Sequence, residues 1–471
     1  MYKLENFTRI LNRINGYVWG IPLIVLIIAT GIILTVRMKG LQIRRLPLAL
    51  KYMVKNEEGG KGEVSSFAAL CTSLSATIGT GNIVGVATAV GVLAGGPGAL
   101  FWMWIAAVFG MATKYAEGFL AIKFRTIDNE GHVLGGPFYY IENGMGKKWK
   151  WLAKIFAFFG ACVGLFGIGT FSQVNGITNA VKGFFDPNQS ATVSVLGNEY
   201  SISVVIAGAI VAVCAALVII GGIKRISDVS QVVVPFMAIV YIAACTTLII
   251  YNIDKLPNAI VDVVESAFGL KAASGGIFAS VMIAMQKGVE RGIFSNEAGL
   301  GSAPIASAAE KTKDPVRQGL VSMTGTFIDT VVICTMTGLS IIMMGSWADE
   351  SLEGVAVTTD YYQKGLDFLP SEVSSFILMA CLVFFAFTTI LGWNYYGERC
   401  LEYLTNRNNV AVKIYRTLYI LAVAIGPYMT VEAVWTIAGI FNGLMAFPNI
   451  IALIALSGVV SRETNAYFKK K

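Results

Sequence analysis

Apolar residues gather into eleven segments of membrane-spanning length, at 18–36, 66–92, 97–122, 151–182, 202–220, 232–251, 273–300, 318–344, 372–395, 414–430 and 433–457. Ahead of them Leu4, Phe7, Ile10, Leu11 and Ile14 recur at helical spacing, which predicts a short amphipathic helix on a membrane surface. The pattern is that of an all-α polytopic membrane protein. Two segments are interrupted. In 75–87, SATIGTGNIVGVA, Gly79 and Gly81 flank Thr80 and precede Asn82, so the backbone can unwind within the hydrocarbon and release amides, carbonyls, a hydroxyl and a carboxamide. The seventh segment carries polar and charged residues from Gln286 through Glu297, in MQKGVERGIFSNEAGLG.

Charge orients the segments. Placed on alternating sides, Lys3, Arg9, Arg13, Lys182, Lys255, Lys271 and Lys364 make seven basic residues on one face, against twenty-five on the other. By the positive-inside rule the richer face is cytoplasmic, which predicts the N-terminus outside and the C-terminus inside. Without the first span, ten remain as five plus five, and each set begins with an interrupted segment. That placement points to an inverted-repeat transporter with its site at the midplane, the second repeat running inverted because five is odd. The expected organisation is 1–65 (amphipathic segment, extra span, cytoplasmic loop), 66–251 (first repeat), 252–457 (second repeat) and 458–471 (basic tail).

Composition narrows the function classes. The chain has 471 residues, 55% hydrophobic and 14% charged, with mean hydropathy +0.66. Its 50 glycines suit close helix contact in lipid. Six of seven cysteines fall inside apolar segments and read as small core residues. One histidine, His132, in a loop, with no CxxC, HExxH or GxSG, argues against a metal-dependent or nucleophilic enzyme. The net charge of +7 reflects sidedness rather than affinity for nucleic acid. The first apolar segment is followed by basic residues rather than a cleavage site, so it is expected to remain as a span. No cofactor and no obligatory protein partner are expected.

The residues themselves suggest a zwitterion site. An amino acid's carboxylate and ammonium are both too costly to leave unpaired at the midplane. Amides around Thr80, Gly81 and Asn82, at the start of a half-helix, suit the carboxylate. Carbonyls from the second break, placed near Ile283 and through 288, suit the ammonium; the competing reading is that the glycines only permit tight helix crossing. Asp329 lies halfway along the eighth segment, either as a coupling site or as the partner of Lys287 or Arg291. Arg291 and Glu297 belong either to an inner gate or to a static packing network. Lys114 and Glu117, three apart, read as a snorkelling ion pair.

Beyond these patterns, GTGNIVGVA and RGIFSNEAGLGS, with GGPGALFWMWIAAVFG at 95–110, GGPFYYIENG at 135–144, GTFSQVN at 169–175 and TTILGWNYYGER at 388–399, resemble the alanine or glycine:cation symporter family across nearly all spans. The resemblance implies a leucine-transporter-type fold of two inverted five-helix repeats. It implies sodium-coupled, sometimes proton-coupled, uptake of small neutral amino acids across the plasma membrane. By the same resemblance Ile78 and Ser75 would offer carbonyls to sodium and Thr388 and Thr389 hydroxyls, against the alternative that each threonine bonds its own helix. Asn82 could take a second cation. Phe171, Gln173, Thr389 and Trp393 would line the pocket, with Trp393 limiting substrate size. A channel gated by amino acids, or a transporter-like sensor, is the rival reading.

Overall fold

A computed structural model describes residues 2–55, 60, 62–128, 132–195, 197–270, 277–429 and 431–470, without the side chains of 2–8, 277 and 431–435. The described residues are mostly helical, with two short antiparallel strand pairs. Among the described residues nine helices are long and apolar enough to cross a membrane, or ten when the bent pair Ser66–Thr77 and Gly81–Val90 counts as one span. The expected seventh span, 273–300, corresponds to the helix Ile277–Asn296; Lys287, Glu290 and Arg291 within it make it too polar to qualify by composition. The N-terminal amphipathic segment is the helix Tyr2–Val18, with Ile10, Ile14 and Tyr17 exposed.

Both ends of the first broken span are fixed by its own sequence. Ser65 caps the helix Ser66–Thr77 by accepting from the Ala68 amide, and the helix stops where Ile78 turns extended. After Gly79 and Thr80 the chain resumes as the wide helical turn Gly81–Gly85 and the helix Val86–Val90, bent 52° from the first half. The second break is not where the polar residues predict it. The helix Ile277–Asn296 runs unbroken through 283–288 and ends before Glu297, and the helix Ala303–Ala308 follows. The turn between them holds Glu297 at φ 58°, Gly299 at φ 91° and Gly301 at φ 81°, a left-handed path that glycine permits. A third interruption lies in the fourth span, where the helix Lys150–Phe166 stops at Gly167 and the helix Phe171–Phe185 restarts.

The two ends of the bundle differ. At one, Val92 donates its amide to the Trp347 carbonyl. At the other, Glu63 and Val64 donate amides to the Ala309 carbonyl, and Lys311 returns a bond to the Val64 carbonyl. A short parallel bridge thus joins the base of the first broken helix to the end of the second. The long helix Gly98–Lys123 is the buried axis, packed against Ile277–Asn296 and Pro315–Thr326. By contrast Ile202–Ile219 and Gly222–Tyr251 leave Ile206, Ile210, Val213, Leu217, Val232 and Phe236 exposed, as surfaces facing hydrocarbon do.

Candidate functional site

At the first break the freed backbone groups meet Asn82 of the same span and side chains from two other spans. The Gly79 amide donates to Asn82 Oδ1 at 2.9 Å and the Thr80 amide to Gln173 Oε1 at 3.1 Å. Thr389 Oγ1 lies 3.2 Å from the Ile78 carbonyl oxygen and donates there or to Phe385. The crossing is tight: a Cβ on Gly79 would stand 2.5 Å from Thr389 Oγ1 and 3.0 Å from Gln173 Oε1. Thr80 Oγ1 is buried without a hydrogen-bond partner among the described residues.

Asp329 joins this break to the neighbourhood of the second. It sits on a wide helical turn, Phe327–Cys334, which interrupts the regular helix of the eighth span. Its carboxylate accepts from Asn82 Nδ2 at 2.7 Å, Ser295 Oγ at 2.9 Å and Thr330 Oγ1 at 2.8 Å. Asn296 Nδ2 donates to Thr330 Oγ1, and Asn296 Oδ1 receives the Ala298 amide. All these side chains are buried. Lys287 is not the partner of Asp329, since it pairs with Glu290 of its own helix at 3.4 Å. The Arg291 guanidinium lies over the Phe294 ring, 5.8 Å from its centroid.

The second break has its own anion. Glu117 Oε1 accepts the amides of Gly299 and Gly301, both at 3.1 Å, and Asn449 Nδ2 at 2.7 Å. Ser302 Oγ donates to Glu297 Oε2 across the same turn. Lys114 and Glu117 therefore do not snorkel. Both are buried, at 2% and 0% exposure, and Lys114 Nζ has no hydrogen-bond partner among the described residues. A carboxylate against unwound amides satisfies donors that the broken helix would otherwise orphan.

The remaining expected residues separate. The Ile283 side chain is 47% exposed on an unbroken helix, so the ammonium-binding carbonyls expected there are engaged in helical structure. Thr388 Oγ1 bonds its own helix at Phe384 and Phe385 and touches Met237, and Ser75 Oγ bonds Thr72, whereas Thr389 and Ile78 are joined hydroxyl to carbonyl. Phe171 packs against Ala422. Trp393 is fully buried and stacks edge-on to Tyr396 at 5.5 Å. The sequence pattern does not single out Ser295, Asn296 or Asn449 and gives Glu117 a different role; the signal available was the pair Gly299 and Gly301 in EAGLGS.

A cavity of about 760 Å³ opens near Trp347 and reaches Thr80, Asn175, Gly176 and Arg291, with Asp349, Glu350 and Glu353 near its mouth. At the opposite end Arg125 donates to the carbonyls of Ala308, Glu310 and Thr312. There His132 lies between Glu63, 3.1 Å from Nδ1, and Glu402, 3.7 Å from Nε2, with Arg399 also at Nε2. Glu402 and Glu63 push the imidazole up to about 9, against burial and the Arg399 charge. Burial opposes ionisation of Glu63, yet bonds from His132 and the Val133 amide hold it below the usual carboxylate range.

The profile of the sodium:alanine symporter family matches residues 4–471. The sodium/alanine symporter AgcS of Methanococcus maripaludis is 44% identical over 469 residues, covering 98% of this chain and 97% of the relative. The probable sodium/glutamine symporter GlnT of Bacillus subtilis is 36% identical, covering 97% and 90%. Among solved structures, MhsT in complex with L-phenylalanine superposes with a TM-score of 0.56 at 12% identity, covering 87% of this chain and 99% of that one. The fold is therefore of the leucine-transporter type.

Proposed function

The chain belongs to the sodium:alanine symporter family, and from that premise we propose that it carries a small neutral amino acid, alanine or glycine with serine or glutamine as further candidates, into the cell with sodium. It is a membrane transporter and not an enzyme. The observation that carries the reading is the buried bridge from Asn82 through Asp329 to Ser295, which couples the first broken helix to the second.

The Thr80 hydroxyl and the Gly81 amide receive the substrate carboxylate, beside Gln173, which holds the Thr80 amide. Sodium takes the Ile78 carbonyl and the Thr389 hydroxyl, since a hard cation prefers oxygen ligands. A second cation at Asn82 and Asp329 neutralises a carboxylate that hydrogen bonds alone balance in part. Cation binding orders the unwound turns and so raises amino-acid affinity, which is thermodynamic linkage. The repeats 66–251 and 252–457 then rock about this site, with the Trp347 end external, the His132 end cytoplasmic and the N-terminus outside.

Purified protein in liposomes tests this. Saturable uptake of alanine or glycine that requires an inward sodium gradient is expected; sodium-independent uptake, or currents above carrier turnover rates, would overturn it.

A further inference from the structure

The third interruption, at 167–170, supplies no ligand to the proposed substrate or cation. Most of its freed carbonyls are closed locally: Thr170 Oγ1 donates to Leu165, and Ser172 Oγ reaches Ile168. The Gly169 carbonyl is served from another helix. Tyr419 Oη, on Asn409–Ile425, stands 2.6 Å from the Gly169 carbonyl oxygen and 2.7 Å from that of Ile390. One phenolic proton is shared between two carbonyls on two different spans, and the ring is fully buried. The fit leaves no slack, because a Cβ on Gly169 would meet the Gly164 carbonyl and Trp393 Cβ at 2.6 Å and Tyr419 Oη at 2.8 Å.

Both tied positions lead to the first break. Four residues past Gly169, Gln173 holds the Thr80 amide; one residue before Ile390, Thr389 reaches the Ile78 carbonyl. These two side chains flank Gly79 so closely that the separation of their backbones sets the width of the gap between them. We propose that Tyr419 is a positioning residue: its hydroxyl fixes the interrupted turn that aims Gln173 against the helix that carries Thr389, and thereby sets substrate and sodium affinity together. This rests on the assignment of Gln173 and Thr389 to the transport site.

The test compares three variants in proteoliposomes, with uptake measured against amino acid and against sodium. Tyr419→Phe is expected to raise the substrate KM and the half-saturating sodium concentration each by about tenfold, as orphaning a buried acceptor does, with the maximal rate within about twofold. Tyr415→Phe removes a hydroxyl that bonds Ala161, inside an intact helix, and is expected to change neither. Thr170→Val loosens the same turn without touching the Thr389 helix, so the substrate KM alone is expected to rise. This variant keeps the test open if Tyr419→Phe does not fold. Unchanged affinities in Tyr419→Phe, or equal shifts in Tyr415→Phe, would overturn the proposal. A wild-type protein without sodium dependence would instead defeat the symport reading on which it rests.

Discussion

Asn82 and Asp329 are 247 positions apart in sequence, yet the carboxamide nitrogen of one donates to the carboxylate of the other at 2.7 Å, fully buried. Removing the negative charge while keeping the shape isolates its role in cation binding. Asp329→Asn is expected to raise the sodium concentration for half-maximal uptake by about tenfold or more, as the loss of a charge-assisted contact implies. A sodium titration unchanged from wild type would remove Asp329 from the coupling site.

Gly79 is flanked so tightly that one methyl group decides the site. Gly79→Ala places a Cβ 2.5 Å from Thr389 Oγ1 and should abolish amino-acid binding while the protein remains in the membrane. Gly85→Ala, whose nearest contact would be 3.9 Å away, should transport normally. Equilibrium binding of radiolabelled substrate checks both, and equal activity in the two variants would show that Gly79 is not at the site.

Glu117 neutralises part of a buried cluster that includes Lys114, and its oxygen holds two amides of the second break. Glu117→Gln is expected to lower stability by about 3 kcal/mol, the cost of leaving one buried charge uncompensated. Adding Lys114→Met should restore part of that loss, a non-additive cycle readable by thermal unfolding in detergent. Strict additivity would mean that the two groups do not interact.

His132 ties Glu63 to Glu402 only as an imidazolium. Its folded-state value of about 9 lies above the ordinary 6.5, so its stabilising contribution is complete below about pH 6.5 and fades as pH rises through 9. Relative to His132→Gln, the wild type should therefore lose its stability advantage between those limits. Hydrogen exchange at 132–134 across the same range checks where the loosening occurs; flat protection would mean that the ion pairs do not hold this end.

The first break was legible because Gly79, Thr80, Gly81 and Asn82 disfavour a helix through their own backbone and side-chain chemistry. The second was misplaced for a physical reason. Charged residues at 287–291 read as a disruption, yet a helix tolerates them when Lys287 and Glu290 pair three apart and the side chains leave the axis. The actual turn depends on Gly299 and Gly301, whose amides are satisfied by a carboxylate 182 and 184 positions away. No local pattern reveals such a partner, and the same distance hid Glu117 behind its neighbour Lys114. The interruption at 167–170 stayed invisible because glycines within an apolar run look the same whether the helix continues or stops.

The bridge between Val64 and Glu310 is built from main-chain bonds, whose strength does not depend on the side chains attached. Mutational drift can alter the selectivity of either broken helix while leaving this joint in place, because few replacements other than proline remove an amide. The bases of the two helices are thus tied main chain to main chain, and parting them would break the bonds of the Glu63 and Val64 amides to Ala309 and of the Lys311 amide to Val64. Side chains above this joint can be exchanged without loss of the bonds that hold it.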